Sequence, residues 1–218
     1  MNHYTPRLTL KQRLQHHKYA KLERELKPLC SWVDFYDYLW SYGSINWKGK
    51  VVLDIGADIG SSAIFFLMNG AKAVYLIENN DEYITTYFDK IVNTHSNIYQ
   101  NHFKKLPTIW NITIPTIRMD EECNTSASIL NAIKKYPIYI EGVPLDKIDV
   151  LKMDCEGCEL QLLTEELLNK ANEFVVGLHK PQLDDYQFEQ KKRLLEKHGG
   201  KYFGNVNNEE FLWQKVVK

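Results

Sequence analysis

Val51-Val52-Leu53-Asp54-Ile55-Gly56-Ala57-Asp58-Ile59-Gly60 is the stretch from which the rest of the chain can be read. Lys50 to Ile55 is a short, mainly apolar run that stops at a glycine, the pattern of a strand buried on both faces. Ser61 to Met68 continues as a helix, and Asn69-Gly70 closes it, because both residues tolerate the left-handed backbone of a helix end. Ala73 to Ile77 repeats the strand pattern and ends at Glu78. Asp81 to Val92 repeats the helix pattern, with acidic residues in its first turn, where the helix dipole favours them. Strand, helix, strand, helix predicts a parallel pair with a right-handed crossover.

The same alternation extends towards the C-terminus. Ile148 to Met153 reads as a buried strand ending at Asp154, Glu159 to Asn169 as a helix, and Glu173 to Leu178 as a strand ending at His179. Asp185 to Lys197 reads as a helix closed by Gly199-Gly200, and Tyr202 to Val206 with Phe211 to Val217 as a closing strand pair about Asn207-Asn208. In between, Ile109 to Arg118 reads as a strand or hairpin and Ser126 to Lys135 as a helix. Towards the N-terminus, Leu10, Leu14, Leu22, Leu26, Leu29 and Val33 recur at helical spacings interrupted by Pro28, and Ser31 is placed to cap a second helix through Asp34 to Trp40. The expected organisation is a helical N-terminal extension over 1–47, followed over 48–218 by an α/β sandwich with a mostly parallel sheet.

The composition fits that architecture and excludes others. At 218 residues, 44% hydrophobic and 25% charged, the chain suits a single core. A net charge of -1 argues against a protein that coats nucleic acid, although residues 1–30 carry seven Lys or Arg and only two Glu. No apolar run has the length of a membrane span; the densest is Ala63 to Met68. The N-terminus has no signal-peptide core, so a cytoplasmic protein is expected. Four cysteines in a chain of this length make no disulfide framework and read as thiols. Cys155-Glu156-Gly157-Cys158 has the C-x-x-C spacing, but no second pair or His pair accompanies it. Small packing side chains are therefore expected there, with a redox pair after a thioredoxin-like strand as the lesser alternative, and no metal site.

In a sheet of this kind ligands bind beyond the carboxyl ends of the strands. Those ends carry Asp54, Glu78, Asp154 and His179. The first turn is spaced G-x-x-x-G; it is neither the dinucleotide G-x-G-x-x-G nor a P-loop. Gly56 permits a sharp turn and close backbone approach, and Glu78 is placed to accept both hydrogens of a ribose diol. A nucleoside with no phosphate in the turn fits that pair.

These residues resemble a known family. Asp54 to Gly60 looks like the first motif of class I S-adenosylmethionine-dependent methyltransferases, and Ile77-Glu78-Asn79-Asn80 resembles their acidic second motif. Lys152-Met153-Asp154-Cys155-Glu156-Gly157-Cys158-Glu159 resembles the lysine-x-aspartate-x-glutamate-glycine-x-glutamate signature of the FkbM methyltransferases. The resemblance covers roughly residues 48 to 180. It implies a Rossmann-like fold, S-adenosyl-L-methionine as cofactor, and O-methylation of a hydroxyl on a glycan or small molecule. It implies cofactor contacts at Asp54, Gly56, Ala57, Asp58, Gly60, Glu78 and Asn79, and catalytic roles for Asp154, His179 and Glu156. Gly177 stands where the family often has a glutamate, two residues before the histidine. An RNA methyltransferase using the basic segment, or a non-catalytic nucleoside-binding protein, are the competing readings. An unperturbed histidine base would give a rate rising through pH ~6–7. Trp32, Phe35, Tyr36, Tyr38, Trp40 and Trp47 are expected to pack a helix on the sheet or to wall the acceptor pocket.

Overall fold

The computed structural model describes residues 19–20, 23–24, 27, 34–58, 60–77, 148–180, 182–206 and 209–217. The expected elements at 81–92, 109–118 and 126–135, the site residues Glu78 and Asn79, and most of the basic N-terminal segment lie outside these residues.

Six strands form one sheet: β1 (Val51–Ile55), β2 (Ala73–Ile77), β3 (Ile148–Met153), β4 (Ala171–His179), β5 (Lys201–Val206) and β6 (Glu210–Lys215), in the order β2-β1-β3-β4-β6-β5. The first four are parallel. β6 runs antiparallel to both β4 and β5. The chain leaves β1 for β2 on one side and later places β3 on the other. The order therefore reverses between β1 and β3, the position at whose carboxyl ends sheets of this kind bind ligands.

The central strands are apolar on both faces because both faces are covered. Val52, Val74, Val150, Val175 and Leu212 face one cluster, packed under helices α1 (Phe35–Tyr42) and α2 (Ser61–Met68). Leu53, Ile55, Leu151, Met153, Phe174, Val176 and Trp213 face the other, beneath α3 (Glu159–Leu162), α4 (Glu165–Lys170) and α5 (Asp185–Lys197). Each such side chain stabilises the fold by roughly 1.5–3 kcal/mol through burial.

Most expected elements appear with shifts of a residue or two. The single helix expected over 159–169 is instead two, because Thr164 is extended and its hydroxyl accepts from the Leu167 N–H, starting a new helix. α1 is capped by Asp34, whose carboxylate accepts from the Tyr36 N–H; Ser31 lies outside the described residues. α5 begins with a reciprocal capping box between Asp184 and Gln187.

The aromatic segment before β1 is built into the core. Tyr19, Phe35, Tyr42 and Trp47 are buried, and Trp47 stacks on Phe66 with ring centroids 4.2 Å apart. Tyr38 reaches the start of α2, where its hydroxyl lies 2.5 Å from Ser61 Oγ. Trp40 packs on Phe203 of β5.

Candidate active site

The turn after β1 is held from below by a buried charge pair. Asp54 and Lys152 are cross-strand partners in the β1–β3 register, and Lys152 Nζ lies 2.9 Å from Asp54 Oδ1. The same ammonium donates to the Gly56 carbonyl at 2.6 Å, while Ser62 Oγ donates to Asp54 Oδ2 at 2.6 Å. Burial alone would lower the Lys152 pKa, but Asp54 and Asp154 more than offset this and hold it above its ordinary value. Lys152 thus pairs with Asp54 rather than with its near neighbour Asp154. Asp54 is fully enclosed, so its carboxylate shapes the turn from within.

Gly56 has φ 74°, and a Cβ there would overlap the carbonyl oxygen of Asp154. What the missing side chain admits is the end of β3 itself, and Asp154 N donates to the Ile55 carbonyl at 3.0 Å. Ala57 is buried in the core under α2. Asp58 and Gly60 are both left-handed, and Gly60 N closes the turn on the Ala57 carbonyl at 2.8 Å. α2 starts at Gly60, which provides no side-chain cap for its first N–H groups.

Beside this turn, the ends of β3 and β4 bring Asp154 and His179 together, with His179 Nε2 3.4 Å from Asp154 Oδ1. The other ring nitrogen, Nδ1, lies 2.7 Å from Oε1 of the fully buried Glu159. Glu159 also accepts from the Gly157 N–H at 2.7 Å through Oε2, so one carboxylate fixes both the motif turn and the ring. Burial would lower the His179 pKa, but hydrogen bonding and charge from Asp154 and Glu159 push it up to about 10. The pH 6–7 rise expected of an unperturbed imidazole does not fit this environment, which keeps the ring protonated across neutral pH. Burial would raise the Asp154 carboxyl, yet His179 and Lys152 leave it below its ordinary value.

A fourth group arrives from β6. Glu210 is the antiparallel partner of His179, and ligand atoms of Asp154, His179 and Glu210 all lie within 4.8 Å of one another. A Cβ at Gly177 would overlap Glu210 Oε1, so the missing side chain on β4 makes room for this carboxyl. Burial, then the nearby Asp154, pushes the Glu210 pKa up to about 8. Glu156, expected at the reacting centre, instead sits exposed on the turn with φ 51°, outside the cluster.

The sequence of this chain matches the profile of the Methyltransferase FkbM domain over residues 54–214. It belongs to the FkbM methyltransferase family. It is 30% identical to Uncharacterized protein 65 of Sulfolobus islandicus filamentous virus, over 66% of this chain and 68% of that one. It is 26% identical to Uncharacterized protein 158B of Sulfolobus islandicus rod-shaped virus 1, over 86% and 92% respectively. Among solved structures, a SAM-dependent methyltransferase from Aquifex aeolicus is similar with 18% identity and a TM-score of 0.44, covering 91% of this chain and 96% of that one.

This FkbM methyltransferase takes S-adenosyl-L-methionine as its cofactor, which supplies a methyl group made electrophilic by a sulfonium. The turn fits such a molecule in two respects. The start of α2, where Gly60 offers no side-chain cap, suits a carboxylate, and the turn lacks the Gly-Lys-Ser/Thr sequence of a P-loop. Two residues at the reacting rim escaped sequence reasoning. Glu159 closes the signature motif and was readable there as a motif member, but its role as the partner of His179 was not. Glu210 carried no signal, since only strand pairing brings it to the site.

The thiol expectation fails for two cysteines of this FkbM methyltransferase. Cys155 and Cys158 are joined in a disulfide across Glu156-Gly157, with Cα atoms 5.5 Å apart. Closing so short a loop is expected to contribute about 2 kcal/mol. Addition of a reductant in anaerobic buffer is therefore predicted to lower the melting temperature by roughly 4–8 °C. A Cys155→Ser/Cys158→Ser variant should melt at the reduced temperature and no longer respond to reductant. Identical melting of the wild type with and without reductant would remove the bridge from the stability of this turn.

Proposed function

We propose that the chain transfers the methyl group of S-adenosyl-L-methionine to a hydroxyl oxygen of a glycan or small molecule. One observation carries this reading: Asp154 and His179 meet at the sheet rim, directly against the turn at Gly56. An acceptor hydroxyl seated there is next to the donor turn and next to an ionised carboxylate. Asp54, Gly56, Ala57, Asp58 and Gly60 form the donor turn, with Glu78 and Asn79 completing the donor site. Holding the two reactants in line supplies ~7–11 kcal/mol of barrier lowering. As the O–CH3 bond forms the S–CH3 bond breaks, its electron pair stays on sulfur, and the hydroxyl proton passes to Asp154. The side chain of Asp154 is one-third exposed, so it can return that proton to water. His179 does not take the proton in this scheme; as an imidazolium oriented by Glu159 it keeps Asp154 ionised and in place. Glu156, at the exposed turn, is the proposed contact to more distant parts of the acceptor.

The test is transfer of labelled methyl from the donor to pooled glycans, small metabolites and RNA, with mass spectrometry of the product. A methylated hydroxyl on a sugar or small molecule supports the reading. Methylated RNA alone, with affinity falling steeply as salt rises, replaces it with the nucleic-acid reading. No turnover with any pool leaves a binding protein.

Glu78 gives an independent check on the donor side. A carboxylate accepting two ribose hydroxyls through charged hydrogen bonds contributes ~1.5–3 kcal/mol for each. Glu78→Ala is therefore expected to weaken donor binding by at least ~10-fold in calorimetry, with the circular dichroism spectrum unchanged. Unaltered affinity would take Glu78 out of the site.

A further inference from the structure

Four carboxyl groups meet around the ends of β3 and β4. Among the described residues, Asp54, Asp154, Glu159 and Glu210 gather there with Lys152 and His179. Lys152 is already committed to Asp54 and the Gly56 carbonyl. Among the described residues, the Glu210 carboxyl has no hydrogen-bond or ion-pair partner, although the residue is partly buried. Carboxylates removed from water call for a compensating positive charge.

The geometry points to a divalent-cation site formed by Asp154, His179 and Glu210, which holds the acceptor oxygen of the reaction proposed above. Three features of the fold support it. Ligand atoms from three different strand ends lie within 4.8 Å of one another, close enough to share one ion. His179 is held through Nδ1 by the buried Glu159, which leaves Nε2 turned to the cluster, the arrangement that orients a metal-binding imidazole. The absence of a side chain at Gly177 gives the Glu210 carboxyl its place. Two carboxylates and one imidazole suit a first-row divalent ion such as Mn2+ and leave coordination positions open. The rim is accessible, since the Asp154 side chain is 33% exposed.

The proposal rests on the hydroxyl-methylation reading and refines it. With a cation in place Asp154 would be a ligand rather than the proton acceptor, and His179 would give up its Nε2 proton on binding the ion, so metal uptake would release a proton. The cation would lower the pKa of a hydroxyl seated against it, so that the hydroxyl proton could pass to water as the O–CH3 bond forms and the S–CH3 pair stays on sulfur. An acceptor with two neighbouring hydroxyls would fill two open positions at once.

The test uses the full chain stripped with EDTA and titrated with Mn2+, followed by electron paramagnetic resonance and calorimetry, with no donor or acceptor present. One bound ion per chain is expected. Glu210→Gln and Gly177→Ala should each weaken binding by about 10–100-fold, the second because its new Cβ displaces the Glu210 carboxyl. Glu159→Gln tests the positioning of His179 and should weaken binding over a similar range. Circular dichroism and melting curves accompany every variant, and Gly177→Ala, on a strand and facing only the end of a flexible side chain, is the one that leaves the fold least disturbed. Absence of stoichiometric Mn2+ binding by the wild type, or equal binding by wild type, Glu210→Gln and Gly177→Ala, overturns the site. Methyl transfer that persists in EDTA alongside absent Mn2+ binding overturns the cation while leaving the hydroxyl-methylation reading intact.

Discussion

Gly56→Ala is expected to destabilise the protein by more than ~3 kcal/mol and to abolish donor binding. Two costs combine. The backbone at residue 56 is left-handed, with φ 74°, which costs an alanine roughly 1–2 kcal/mol. The larger cost is steric, because the added methyl would overlap the carbonyl of Asp154, a backbone atom with no rotamer to escape into. Relief requires β1 and β3 to separate at their carboxyl ends. That breaks the bond from Asp154 N to the Ile55 carbonyl and strains the Lys152 bridge to Gly56 and Asp54. The donor turn and the reacting rim share this contact, so both should fail together. Urea unfolding and donor calorimetry on the same preparation provide the check. A variant within about 1 kcal/mol of wild type that binds donor normally would show that the two strand ends do not depend on one another.

Asp154→Asn is expected to act on chemistry alone. The amide is nearly isosteric, and the backbone contact with Gly56 does not involve the side chain. It can neither accept the hydroxyl proton nor offer the full charge that a cation or the His179 imidazolium faces. The predicted result is a kcat lower by ~10²–10⁴-fold with donor affinity within a few-fold of wild type, the pattern of an interaction made mainly in the transition state. A near-normal kcat would mean that catalysis is positioning alone. Loss of donor affinity would move Asp154 into the cofactor site.

Asp154 and Glu156 differ for a reason that a sequence pattern does not contain. Both are acidic members of one motif. The chain turns between them, and Glu156 takes up a left-handed conformation that carries it away from the cluster. The opposite happens at Glu159, where the start of α3 sets a carboxylate against the His179 ring. Spacing along a strand suggests that Lys152 and Asp154 share a face. It could not say that Lys152 would choose Asp54, because that choice depends on the β1–β3 register.

Local pattern alone determined the strands at 51–55, 73–77 and 148–153 and the helices at 61–68 and 185–197, because continuous apolar runs and capping residues act over a few neighbours. It determined the family too, since the motifs are contiguous. Tertiary structure decided which rim groups meet. Glu210 reaches His179 only through antiparallel pairing of β4 with β6, and it fits only because Gly177 beside it has no side chain. Tertiary structure also set the charge state of His179, because a pKa depends on the surrounding dielectric and on carboxylates 20 and more residues away in sequence, which folding alone brings within hydrogen-bonding distance.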